Sequence, residues 1–123
     1  MRNSYSENRR DPFAPPRKVT TRKRDFESLL CTAIANRNMV TLHYKKEGVA
    51  RTFQPSAVFH STTGKVLVSG VQITNPAKPE DDLEAHDFEV GLIDRLSATE
   101  TVWITGDTLD RSAKKYAKGI ICP

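Results

Sequence analysis

"MVTLHYKKEGVARTFQPSAVFH", residues 39–60, is the stretch on which the fold turns. Val40, Leu42 and Tyr44 alternate with Thr41 and His43, the period-two pattern of a half-buried strand. "KKEG" then reads as a hairpin turn. In the strand that follows, Val49, Arg51, Phe53 and Pro55 share one face, and Ala50, Thr52 and Gln54 the other. Pro55 has no amide hydrogen, so this second strand bends or reaches a sheet edge there before "AVFH" continues. Arg51 falls among apolar neighbours, and a guanidinium keeps its proton. In such a place it needs an acidic partner, backbone carbonyls or an anionic ligand.

Outward from this hairpin the pattern stays short and strand-like. "STTG" supplies the next turn, and "KVLVSGVQIT" is the nearly continuous run of a strand covered on both faces, with Gly70 marking a bulge or kink. After the acidic, proline-containing loop "NPAKPEDDLEA" come "HDFEVGLIDRL", alternating at Phe88, Val90 and Leu92, and then "TETVWIT". Upstream, "DFESLLCTAIANRN" spaces Phe26, Leu29, Leu30, Ala33 and Ile34 as one face of a helix, with Asp25 as N-cap and Asn36 or Asn38 as terminator. "TLDRSAKKYAKG" predicts a short closing helix with Leu109, Ala113, Tyr116 and Ala117 inward and Gly119 at its end.

The expected fold is therefore mainly β: one amphipathic helix at residues 25–38, then a small five-stranded antiparallel barrel, whose closure removes exposed edges. Hairpin-length connections exclude a doubly wound α/β sheet. At 123 residues there is room for one domain, expected over 25–123. Residues 1–24 carry eight basic and two acidic side chains, a net +6, whereas the rest of the chain is mildly acidic. With three prolines and few aliphatic residues, this arm is expected to be disordered. No apolar run is long enough for a bilayer, and "MRNSYSENRRDPF" lacks the apolar stretch of a secretory signal, which points to the cytoplasm. Cys31 and Cys122, far apart and in no C-x-x-C pair, read as reduced thiols.

From about residue 28 to residue 104 the chain resembles the WYL domain, a bacterial Sm-like β-barrel module of ligand-responsive transcription regulators. The resemblance rests on "AIANRNMVTLHY", "RTFQPSAV", "GKVLVSG" and "HDFEVGLIDRL" in that order. Its most specific part is the R-x-Φ-x-P element of Arg51, Phe53 and Pro55. Val66, Leu67 and Val68 replace the Trp-Tyr-Leu tripeptide, His86 stands where the family has the arginine of its R-x-F strand, and Leu92 where it has a further arginine. The resemblance implies a regulatory barrel that binds a small anionic, nucleotide-like ligand, with Arg51, Tyr44, His86 and Phe53 as the ligand-binding residues.

Each candidate has a structural counterpart. Arg51 is either a bidentate clamp on phosphate or carboxylate or one half of an ion pair with Asp87, Glu89 or Asp94. Tyr44 either stacks on a ligand or packs in the core with a wet hydroxyl. His43, His60 and His86 lie on different strands without the pairing of a zinc site, and Glu80, Asp81, Asp82 and Glu84 lack the pattern of a calcium loop. No activated nucleophile or phosphate-cradling glycine loop is recognisable, and neither an enzyme nor a cofactor is expected. In the arm, Arg17, Lys18, Arg22, Lys23 and Arg24 are the candidates for contact with DNA or RNA by counterion release; the bland reading is a solubilising extension. The sequence thus predicts a non-enzymatic sensor module in bacterial transcriptional or defence-related regulation. The alternative is a protein–protein interaction module, with a homo-oligomer or another protein as partner.

Overall fold

The computed structural model of the chain describes residues 22–107 and 109–123; the expected arm up to residue 21, with Arg17 and Lys18, lies outside them. The elements are α1 (Arg24–Asn36), β1 (Asn38–Tyr44), β2 (Arg51–His60), β3 (Val66–Thr74), β4 (Glu84–Glu89), β5 (Ile93–Val102) and β6 (Ile120–Cys122). Single 3-10 turns occupy Pro79–Asp81, Val90–Leu92 and Lys114–Tyr116. No helix among the described residues is long and apolar enough to cross a membrane.

The helix buries the predicted face, with Leu30, Ala33 and Ile34 in the core and Phe26 and Leu29 packed against it. Its ends differ from expectation. Lys23 takes the N-cap position without a side-chain bond, so Asp25 lies inside the first turn, where its charge meets the positive end of the helix dipole. At the other end neither Asn36 nor Asn38 terminates the helix. Arg37, between them, takes the left-handed conformation (φ 55°, ψ 44°). Tertiary contact selects it: the guanidinium lies 4.8 Å from the centre of the Trp103 ring, and the Arg37 carbonyl accepts the Trp103 amide at 2.9 Å.

All strand pairs are antiparallel, in the order β4-β3-β2-β1-β5, with β6 added to β2. This corrects the five-stranded barrel: among the described residues there are six strands, and β4 and β5, the two ends of the order, share no ladder, so the sheet is not closed. "HDFEVGLIDRL" is not one strand but the end of β4, the turn at Val90–Leu92 and the start of β5. The alternation concealed the break because Val90, within the turn, is as buried as Phe88 and Ile93. "TETVWIT" continues β5 up to Val102. The expected C-terminal helix is a single 3-10 turn. Asp110 accepts from the amide and hydroxyl of Ser112, a local bond that competes with helix formation. Leu109, Ala113 and Tyr116 still face inward, Ala117 is exposed, and Gly119 sits at φ 113°.

β2 is the spine. β3 runs along one edge, while the other edge is divided, with Arg51–Phe53 paired to β1 and Val58 and Phe59 paired to β6. Pro55 falls in the gap, so its missing amide interrupts neither of those ladders. Gln54 fills the gap, accepting from the amides of Ile104 and Thr105 and donating to Thr105. The predicted bend follows directly: the register with β3 shifts between Pro55 and Ala57, leaving Ser56 as the extra residue opposite Gly70 and Ser69. A Cβ on Gly70 would overlap the Gln54 carbonyl and stand 2.8 Å from the Phe53 ring, so only glycine fits.

Phe53 to Phe59 are all buried because both sheet faces are covered. One face joins α1 to Val40, Leu42, Phe53, Val58, Phe88 and Ile93; the other packs Ala57 and Phe59 against Tyr116, with the Phe59 and Tyr116 rings edge to face at 4.7 Å. Each large apolar side chain so buried contributes about 1.5–3 kcal/mol. The two cysteines are not free thiols: Cys31 of α1 and Cys122 of β6 form a disulfide, because the C-terminal tail folds back across β2 to the helix.

Candidate functional site

The hairpin that carries Arg51 also supplies its partner. Lys45 and Lys46 both have positive φ (51° and 59°), and the Glu47 amide bonds back to the Tyr44 carbonyl at 3.0 Å, which is the primed turn that matches strand twist. Side chains with a Cβ are uncommon there, at a cost of about 1–2 kcal/mol each. The Asp94 carboxylate compensates by accepting the Lys46 amide. The turn places Glu47 beside Arg51, four residues further along the chain. Nε donates to Oε1 at 3.0 Å, and Nη2 to Oε1 and Oε2 at 2.7 Å each. Nη1 donates to Oε1 of Gln72, a β3 residue only 1% exposed, at 2.9 Å.

Around this guanidinium the residues singled out in the sequence converge. Phe88 is the hub: the rings of Tyr44, Phe53 and His86 lie 4.8, 4.9 and 4.2 Å from its own, and the Arg51 guanidinium carbon is 5.3 Å away. The Tyr44 hydroxyl accepts the Glu89 amide at 3.0 Å, which ties the end of β1 to the end of β4. Burial raises the Tyr44 pKa above its usual range. His86 is half-buried, and its pKa lies below its usual value because burial disfavours the imidazolium and Arg51 adds a like charge. The site is thus a buried cation in an aromatic frame, closed by a turn carboxylate.

The ion-pair partners expected of Arg51 are engaged elsewhere. Asp87 meets Lys115 at 3.1 Å, Glu89 meets Lys65 at 3.5 Å, and Asp94 holds the turn amide. Glu47 and Gln72 are the residues that the sequence reading missed. A signal for Glu47 existed, since an acid four residues before an arginine at the turn of a hairpin is within reach of it. Gln72, the single amide in a run of aliphatic residues, was the other.

Of the arm candidates, Arg22 forms a two-bond ion pair with buried Glu27, with Nε to Oε2 at 2.8 Å and Nη2 to Oε1 at 2.9 Å. Lys23 donates to the Ile93 carbonyl at 2.6 Å, and Arg24 is exposed at the start of α1. These three belong to the folded body, and two of them are occupied by it. A concavity of about 260 Å3 lies on the other face of the sheet between Ser56, Ser69, Asp87, Asp110, Lys115 and Tyr116. Its polar groups bond to the protein itself: Ser69 to Tyr116, Ser56 to the Ser69 carbonyl, Lys115 to Asp87 and Asp110 to Ser112.

No family model matches this chain, and no curated protein does.

Proposed function

We propose that this chain is a non-enzymatic sensor module, WYL-like and an open relative of the Sm-like barrel, that takes up a small anionic ligand at Arg51 in exchange for Glu47. The observation that carries this reading is the unequal exposure of the ion pair. The Arg51 side chain is 10% exposed, whereas that of Glu47, on the turn, is 37% exposed. The carboxylate can swing into water while the cation stays fixed. An incoming phosphate or carboxylate offers the same pair of oxygens to the guanidinium fork. Tyr44 and His86, the two half-buried rings packed on the fully buried Phe88, are the ones a flat ring could meet, hence a nucleotide-like anion.

In this reading the chain works in the cytoplasm, in bacterial regulation, and catalyses nothing. Arg17, Lys18 and Arg24 would add sequence-independent contact to a DNA or RNA backbone. A second reading, the protein–protein interaction module, is favoured by a different observation: Val102, the last residue of β5, and Ile104, just beyond it, are 64% and 62% exposed beside an outer strand edge that no described strand pairs.

Calorimetric titration of the full chain with adenosine monophosphate, inorganic phosphate and citrate tests the exchange. Glu47→Gln, which removes the competing carboxylate, is expected to tighten binding roughly tenfold, about 1.4 kcal/mol. Arg51→Ala is expected to abolish it. If none of the three anions binds to either the natural chain or Glu47→Gln, the sensor reading falls and the interaction module replaces it.

A further inference from the structure

We infer that the Cys31–Cys122 disulfide is a reducible latch: its reduction releases the tail after Tyr116 and uncovers the far half of the β2 edge.

The inference rests on how little else holds that tail. The last side chain that anchors it by a hydrogen bond is Tyr116, whose hydroxyl bonds to Ser69 at 2.8 Å and whose ring packs on Phe59. Beyond it the chain turns at Gly119 and adds the three residues of β6 to β2. The register there pairs Val58 with Cys122 and Phe59 with Ile120, with a shift between them, and the His60 amide donates to the Gly119 carbonyl at 2.9 Å. No side chain of residues 117–123 makes a hydrogen bond or ion pair to the rest of the described chain; its one covalent tie is to Cys31. A three-residue terminal strand of this kind frays readily, because it orders its backbone in return for very few bonds.

What the tail covers gives the latch its consequence. Ile121 and Cys122 pack against the main core beside α1, and Ile120 against the second core with Phe59. Val58 and Phe59 are fully buried beneath it. Release therefore bares a strand edge flanked by apolar side chains on both faces, which is a template for adding another strand. Both cysteines are half-buried rather than fully enclosed, and reduction requires a thiolate to reach one of the sulfurs. The step needs a dithiol reductant. It delivers two electrons and two protons, the Sγ–Sγ bond becomes two thiols, and the dithiol leaves as its own disulfide. In a reducing compartment a disulfide of this kind is characteristically a sensing one. The latch is independent of ligand exchange at Arg51.

Hydrogen exchange of the full chain before and after treatment with dithiothreitol tests the latch, with thiol titration establishing each state. In the oxidised protein no free thiol is expected, and the amides of His60 and residues 119–122 are protected. After reduction those amides are expected to exchange at least tenfold faster relative to the β1–β2 ladder amides, which stay protected. Cys122→Ser should reproduce the reduced pattern without reductant. Two titratable thiols in the unreduced protein overturn the inference. So does a reduced protein in which the tail loses no more protection than the ladder of β1 and β2.

Discussion

The two halves of β2 are held in opposite ways. Arg51–Phe53 pairs with β1, its neighbour across one hairpin, and the charge it buries is neutralised by a residue of that same hairpin. Val58 and Phe59 pair with β6, the last strand of the chain, and the tie there is a covalent bond between residues 91 apart in sequence. The first half closes a short loop at little entropic cost. The second must draw the two ends of the domain together, a cost that grows with the length of chain between them. The difference shows where a small sheet can rely on local bonds and where it needs a cross-link.

The largest effect is expected at the junction of the halves. Gly70→Ala forces a methyl into the Gln54 carbonyl and the Phe53 ring, in a core already packed on both sides. A loss of about 3 kcal/mol or more is expected in urea denaturation, the size typical of severe overpacking. A variant that keeps its midpoint would mean that the bulge at Ser56 absorbs the group and that the halves are not rigidly coupled.

Next come the two partners of the ion pair, which should not be equal. Glu47→Ala leaves a guanidinium charge buried with only Gln72 for company, at a cost of about 3 kcal/mol. Arg51→Ala leaves a carboxylate that can turn to solvent and one buried amide oxygen to satisfy, about 1–2 kcal/mol. Equal losses in paired denaturation curves would show that the turn holds Glu47 rigidly, against the exchange proposed for this half of β2.

A smaller effect, of opposite sign, is expected in the turn. Replacing Lys45 and Lys46 by Asn and Gly suits the positive φ of both positions and should raise stability by about 1 kcal/mol, read as a shift in melting temperature. No gain would show that the two lysines adopt this conformation without cost.

The smallest concerns acid. Because the folded-state pKa of His86 lies below its ordinary 6.5, the unfolded chain binds a proton there that the folded chain does not, in the window between the two values. Stability from this source is complete above pH 6.5 and falls as the pH drops through that window. His86→Gln should flatten this part of the curve, and the readout is the difference between the two profiles over that window. Identical profiles would remove His86 from the account.

Much of the first half of β2 was legible in the sequence, and little of the second. Alternation at Val40, Leu42, Arg51 and Phe53 located the hairpin, and Pro55 with Gly70 marked the bulge, because these signals act over a few residues. The sequence reading also gathered Tyr44, Arg51, Phe53 and His86 into one site, by likeness rather than by geometry. It did not reveal that Glu47 closes the site, since the path of the turn depends on two lysines in an uncommon conformation. β6 and the disulfide were invisible, because "GIIC" is too short for a periodic pattern and nothing local marks Cys31 as its partner. The turn at Val90–Leu92 hid inside an alternation that continued straight through it.

The disulfide also changes what kind of object the polypeptide is. From residue 31 to residue 122 the covalent path is a ring, and the exposed loop between β3 and β4, around Pro76–Glu80, lies on its circumference. A single protease nick there opens the ring without dividing the molecule. The two pieces stay covalently joined and migrate as one species until a reductant separates them, so under oxidising conditions the chain survives a first cut with its connectivity intact.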